Sequence, residues 1–162
     1  GYQAAHVIEL MTKFKKANRV SQGAEKWLDI QRWDATAACV AHLRNRGYRI
    51  VATHAETGRL IVEVAFDVPT AIFFGNEHEG ITPELAKTAD ECVRLPMLGF
   101  TQSYNISVAA AITLYHVYRD RIARLGRHSD LTPAEMVRLQ AVYYRRSLDA
   151  ADKILLQSRQ QR

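Results

Sequence analysis

The run Thr70-Ala71-Ile72-Phe73-Phe74 constrains the fold more than any other segment, because its apolar side chains follow one another without alternation. A strand with one wet face alternates apolar and polar positions, whereas an unbroken run fits a strand buried on both faces, as in a parallel sheet covered by helices. Tyr48 to Thr53 reads as a second such strand, Cys92 to Leu95 as a third, Leu60 to Val64 as a weaker one, and Ala4 to Met11 as a short buried one.

Helix signals fall between these strands. Asp34 is placed to cap a helix from Ala35 to Arg46, with Gly47 as its stop. Thr82-Pro83-Glu84 opens a short helix with a capping hydroxyl and a proline in the first turn. Asn105 to Leu125 reads as one long helix, and Thr132-Pro133-Ala134-Glu135 has the reciprocal capping pattern that introduces a last helix to about Leu156. Val20 to Trp27 fits a short helix or turn. Alternating strands and helices predict an α/β domain with a mostly parallel sheet, whose ligands bind outside the carboxyl ends of the strands.

Two loops meet that description. Phe74-Gly75-Asn76-Glu77-His78-Glu79-Gly80 follows the most apolar strand, so its polar groups should emerge at the ligand edge, with Glu77 foremost. Gly75 and Gly80 permit close backbone approach, although an ordinary glycine-bounded turn would need the same residues. Pro96-Met97-Leu98-Gly99-Phe100-Thr101-Gln102-Ser103-Tyr104-Asn105 also follows a strand and opens the long helix, setting Ser103 and Asn105 beside unpaired helix N–H groups. Either residue could equally be no more than a helix cap. No Gly-x-Gly-x-x-Gly follows a strand and no Gly-x-x-x-x-Gly-Lys-Ser/Thr occurs, which argues against ordinary dinucleotide and P-loop sites.

With 162 residues, of which 48% are hydrophobic, the chain can bury one sizeable core. A net charge of +5 favours an anionic partner. Basic and aromatic residues mix in Lys13 to Arg19, Arg44 to Arg49, Tyr115 to Arg127 and Tyr143 to Arg146, a composition that suits RNA, though a solvated helix face explains each stretch as well. Lys13, Lys15, Lys16, Arg19 and Lys26 are the candidate RNA contacts. Cys39 and Cys92 lie far apart in apolar surroundings and read as reduced core residues. None of the six histidines has metal-ligand spacing, so no metal is expected. No apolar run approaches the roughly 20 residues that span a bilayer, and the N-terminus lacks a signal-peptide pattern, so the expected compartment is the cytoplasm.

Taken together, Ala71 to Thr82 and Leu95-Pro96-Met97-Leu98-Gly99 with Ser103-Tyr104-Asn105-Ile106-Ser107-Val108-Ala109 resemble the second and third motifs of the SpoU family of RNA ribose 2'-O-methyltransferases. Gly23 to Trp27 and the stretch from Leu139 to Leu156 are similar to the TrmH-type branch, which modifies guanosine 18 of the tRNA D-loop. The resemblance implies a SPOUT α/β fold with a C-terminal trefoil knot, a methyltransferase domain over residues 1–125 and a helical extension over 126–162 packed on it. It also implies S-adenosylmethionine held between three loops, matching Ala52 with Thr53, Phe74 and Gly75 with Glu77 and Gly80, and Leu95 through Asn105, including Pro96, Met97, Gly99 and Tyr104.

In such enzymes an Arg of the first motif takes the hydroxyl proton, while a second-motif Glu and a third-motif Ser and Asn order the site. Glu77, Ser103 and Asn105 match the latter three, and the first motif is expected upstream of Gly1. Tyr104 departs from the Leu that relatives commonly carry. The implied partners are tRNA and a second copy of the chain, joined through the knot region. The implied activity is S-adenosylmethionine-dependent 2'-O-methylation of a tRNA ribose. The alternatives are methylation of rRNA, or a catalytically incomplete module that binds RNA and cofactor.

Overall fold

A computed structural model of the chain describes residues 2–9, 24–76, 79–100 and 103–147. These fall into two compact units, one formed by Trp33–His128 and the other by the described parts of Gly1–Arg32 and Ser129–Arg162.

The larger unit is built on a four-stranded sheet. Its strands are β3 (Arg49–Thr53), β4 (Arg59–Leu60), β5 (Thr70–Phe73) and β6 (Glu91–Arg94), in the order β4-β6-β3-β5. Every pairing is parallel, with Val51 opposite Ile72 on one side of β3 and Ala52 opposite Cys92 on the other. Its helices are α1 (Thr36–Asn45), α2 (Pro83–Thr88) and α3 (Ile106–Leu125). The α/β class with a parallel sheet is therefore as expected.

Burial explains the order. Ile50, Val51 and Ala52 of β3 have no exposed surface, as suits the strand at the centre of the sheet. The unbroken run of β5 implied burial on both faces. Instead β5 is an edge strand among the described residues, where Phe73 is buried and Thr70 to Ile72 only partly so. Val51, Ile61, Val64, Phe66, Val93 and Val117 form the core cluster, with Ile72 and Leu95 packed against it. Each such side chain contributes about 1.5–3 kcal/mol by leaving water. Cys39 is also fully buried, and that burial pushes its thiol pKa up to about 11.

Helix α3 is locked onto this core by its C-terminal half. Asp120 accepts a hydrogen bond from the Phe66 amide at 2.8 Å, and Arg121 donates to the carbonyls of Phe66 and Val68 at 2.9 and 3.3 Å. Gly126, at φ +67°, then ends the helix in the left-handed region that glycine tolerates.

Two further expectations need correction, and one element is new. Asp34 does not cap α1: the capping position is Ala35, and no side chain caps there. Leu60 to Val64 is not one strand, because after Leu60 the chain turns into a 3-10 helix over Ile61–Glu63. The Glu63 carboxylate accepts from the Leu60 amide at 3.2 Å, and Arg59 donates to the Glu63 carbonyl at 2.5 Å, so the turn satisfies groups that a ladder would have used. A strand over Asp29–Trp33, β2, was not foreseen.

In the smaller unit β2 pairs with β1 (Ala4–Ile8), and the Asp29 amide donates to the Gln3 carbonyl at 2.7 Å. Helix α4 (Pro133–Ser147) is begun by the expected capping box, in which the Thr132 amide donates to Glu135 at 2.8 Å and the Glu135 amide to the Thr132 hydroxyl at 3.3 Å. Arg146 pairs with Asp29 at 2.6 Å and lies over the Tyr143 ring, against which Trp27 packs edge-on. The expected ends of the first strand at Met11 and of the last helix at Leu156 lie outside the described residues.

Candidate functional site

Parallel pairing sets all four carboxyl ends on one edge of the sheet, and the strand order makes β5, β3 and β6 neighbours there. The three segments singled out from the sequence leave from these three strands. Thr53 ends β3, Phe74 follows β5, and Leu95 follows β6.

Thr53 and His54 bind the three ends together. The Thr53 hydroxyl donates to the Phe73 carbonyl at 3.1 Å, and the His54 amide donates to the Val93 carbonyl at 2.8 Å. The His54 ring then accepts at Nδ1 from the amides of Glu56 and Thr57, both at 3.1 Å, which folds the chain back at once. Ala52 lies one residue earlier with no exposed surface. Only its backbone could face a ligand.

The loop after β5 is closed by a pair of backbone hydrogen bonds between Asn76 and Gly80, at 3.0 and 3.1 Å. The Asn76 side chain accepts from the Glu79 amide at 2.6 Å, inside the same turn. Gly80 has φ +69°, and a Cβ on Gly75 would overlap the Gly80 carbonyl group. Both glycines are therefore required by the backbone path itself. Glu77 and His78 lie outside the described residues, as do Lys13, Lys15, Lys16 and Arg19. Lys26 is described and exposed, in the smaller unit.

The loop after β6 runs from Leu95 to Asn105. The Tyr104 hydroxyl donates to the Pro96 carbonyl at 3.2 Å and ties the two ends of the loop together. Asn105 is the N-cap of α3, accepting from the Ser107 amide at 2.9 Å. Ser103 and Tyr104 are exposed beside it, Met97 is partly buried, and Pro96 and Gly99 are exposed. The cap role left open between Ser103 and Asn105 thus belongs to Asn105.

Sequence reasoning missed Asn76 and His54 as organisers of their loops. An Asn directly after Gly75 in a polar loop is a recognisable turn signal. The His54 contacts depend on where the chain turns and had no signal in the sequence. Among the described residues there is no cluster of three or more His, Cys, Asp or Glu able to hold a metal, and no helix long and apolar enough to cross a membrane.

The sequence matches the SpoU rRNA methylase family over residues 1–115. It is similar to a tRNA (guanosine(18)-2'-O)-methyltransferase of Borreliella burgdorferi, 36% identical over 90% of this chain and 66% of the relative. A protein of the same description from Aquifex aeolicus is 37% identical over 67% of this chain and 52% of the relative. The chain thus spans less than two thirds of the length of these relatives. Among solved structures, the A. aeolicus TrmH/SpoU tRNA modifying enzyme superposes with a TM-score of 0.74 at 32% identity, covering 91% of this chain and 76% of the other. The SpoU methyltransferase AviRb of Streptomyces viridochromogenes, in complex with the cofactor AdoMet, superposes with a TM-score of 0.64 at 25% identity, over 74% of this chain and 49% of the other.

Proposed function

The chain belongs to the SpoU rRNA methylase family, and from that premise we propose that it is the greater part of an enzyme that transfers a methyl group from S-adenosylmethionine to a ribose 2'-hydroxyl of tRNA, at guanosine 18. One observation carries the reading: the loops after β5, β3 and β6 share one edge of a parallel sheet, where such folds hold their ligands. The tRNA (guanosine(18)-2'-O)-methyltransferase description of the relatives supports the choice of RNA.

The residues present fit the cofactor. Gly75 lies against the Gly80 carbonyl group with no room for a side chain of its own, while the loop from Leu95 to Gly99 offers backbone groups between apolar Leu95 and Met97. In this reading Ala52, Thr53, Phe74, Gly75, Gly80, Leu95, Pro96, Met97, Gly99 and Tyr104 line the cofactor site. The cofactor supplies a methyl group on a sulfonium, open to in-line attack. Glu77, Ser103 and Asn105 order the site so that the attacking hydroxyl is aligned with the methyl group. Lys13, Lys15, Lys16, Arg19 and Lys26 hold RNA phosphates.

Four further parts of the reading rest on the family. The segment ending in α3 is threaded as a trefoil knot, residues 1–125 form the methyltransferase domain with 126–162 as its helical extension, and the enzyme works in the cytoplasm. It also works as a homodimer. Val108, Ile112, Tyr115 and Ile122 are exposed on α3 at helical spacing, an apolar stripe suited to a second copy.

Methyl transfer by the full-length protein to separate tRNA and rRNA transcripts, with the product nucleotide mapped, tests the reading. Label at guanosine 18 of tRNA is expected. Label confined to rRNA reassigns the substrate, and cofactor binding by calorimetry without transfer to either RNA marks an inactive binding module.

A further inference from the structure

The loop that joins β6 to α3 carries a feature that the cofactor site does not use. Leu98 and Phe100 are exposed at 100% and 108% of their reference surface, whereas the other exposed large hydrophobic residues reach 65% at most. Gly99 between them has nothing within 4 Å of where a Cβ would stand. The exposure does not come from a slack loop base, since Tyr104 holds the Pro96 carbonyl at 3.2 Å. The loop is pinned at its ends, and the Phe100 ring is exposed to solvent. From Phe100 to Ser103 is three residues, so the ring's backbone stands at most about 11 Å from Ser103 even along a fully extended path.

Leaving such a ring in water forgoes the gain that burial would bring, and a partner that covers it recovers that gain. We propose that Phe100 is the platform on which the base of the acceptor nucleotide stacks while its ribose is methylated. The inference rests on the RNA methyltransferase reading and deepens it. Bringing a ribose hydroxyl into line with a methyl donor requires the nucleotide to leave its neighbours, and a splayed base regains stacking on an aromatic side chain. Phe100 lies in the loop that leads into Ser103 and Asn105, on the edge where Thr53 and Gly75 also end. A phenyl ring has no donor or acceptor, so it positions the base without reading its identity. Phe100 is thus a positioning residue for RNA.

The test compares Phe100→Ala, Phe100→Leu and Phe100→Trp in the full-length protein. Ala and Leu are expected to raise the KM for a tRNA transcript about tenfold, the loss of one base–aromatic stack, and Trp to restore it. Cofactor affinity without RNA and the oligomeric mass should stay those of the unsubstituted protein. A Phe100→Leu protein with unchanged KM would overturn the inference, because any apolar group would then suffice. Weakened cofactor binding without RNA would assign the ring to the cofactor, and a drop in mass would assign it to a second copy; both overturn it. Failure of the methyltransferase reading itself is separate, since the unsubstituted protein would then transfer no methyl group. In that event tRNA affinity by fluorescence polarisation decides, and equal affinity of the unsubstituted and Phe100→Leu proteins overturns the inference.

Discussion

Gly75 approaches the Gly80 carbonyl group so closely that a methyl group on Gly75 has no space. Gly75→Ala must push the Gly80 peptide aside, at a cost of about 1–3 kcal/mol of stability. Cofactor affinity should fall with it, and denaturation and calorimetry on the same preparation would measure both. Affinity equal to that of the unsubstituted protein would show that the clasp does not shape the site. The importance of these glycines was legible in the sequence, because two glycines bound a polar loop behind an apolar strand. Their mutual contact was not, since only the bridge between Asn76 and Gly80 brings them together. The same holds for Asn105: its side chain chemistry suggested a cap or a ligand, and the cap became visible only through the Ser107 amide. Lys26 belongs to this scale too. If it holds a phosphate, Lys26→Ala weakens tRNA binding at every salt concentration and lowers the slope of log affinity against log salt by about 1, with cofactor affinity unchanged. An unaltered slope would remove Lys26 from the RNA surface.

Elements whose ends carry capping side chains were placed well from sequence, and those without were not. Thr82, Asn105 and Thr132 each begin the helix they announced. Thr132→Ala should cost about 1 kcal/mol through loss of the cap on α4, seen as a lower midpoint in urea. Asp34 failed as a signal because Ala35 takes the capping position and no side chain satisfies the helix start. β2, with Asp29, Gln31 and Arg32 among its five residues, has too few apolar positions to show a period. Helix α3 makes the sharpest energetic statement. Burial alone would raise the pKa of Asp120, but the Phe66 amide and Arg124 outweigh it and hold the carboxyl below its ordinary value. A group whose pKa is lowered in the folded state contributes stability above its unfolded pKa, and loses it as pH falls through the folded one. Asp120→Ala should therefore cost about 2 kcal/mol at pH 7 by stranding the Phe66 amide. The gap to the unsubstituted protein should close as the pH drops below 3.8, the ordinary value for this carboxyl. A gap that persists there would show that the charge is not what matters.

At the scale of the molecule, the α/β class was legible because unbroken apolar runs alternate with capped helices. The order of the strands was not, and the candidate site depends on it. No local pattern says that β6 lies between β4 and β3, and only that order joins the loops after β5, β3 and β6 at one edge. Nor did apolarity alone rank the strands: Ala71 to Phe74 looked the most deeply buried, yet the centre went to Ile50-Val51-Ala52. That placement has a consequence for synthesis on the ribosome. β3 is made first but finds its partners late, Val51 opposite Ile72 and then opposite Glu91. β4 waits likewise, since Arg59 pairs with Val93. Until the chain has been translated past Arg94, the most deeply buried strand of the sheet has one flank open. The nascent chain is therefore most vulnerable to misassociation between the emergence of β3 and that of β6.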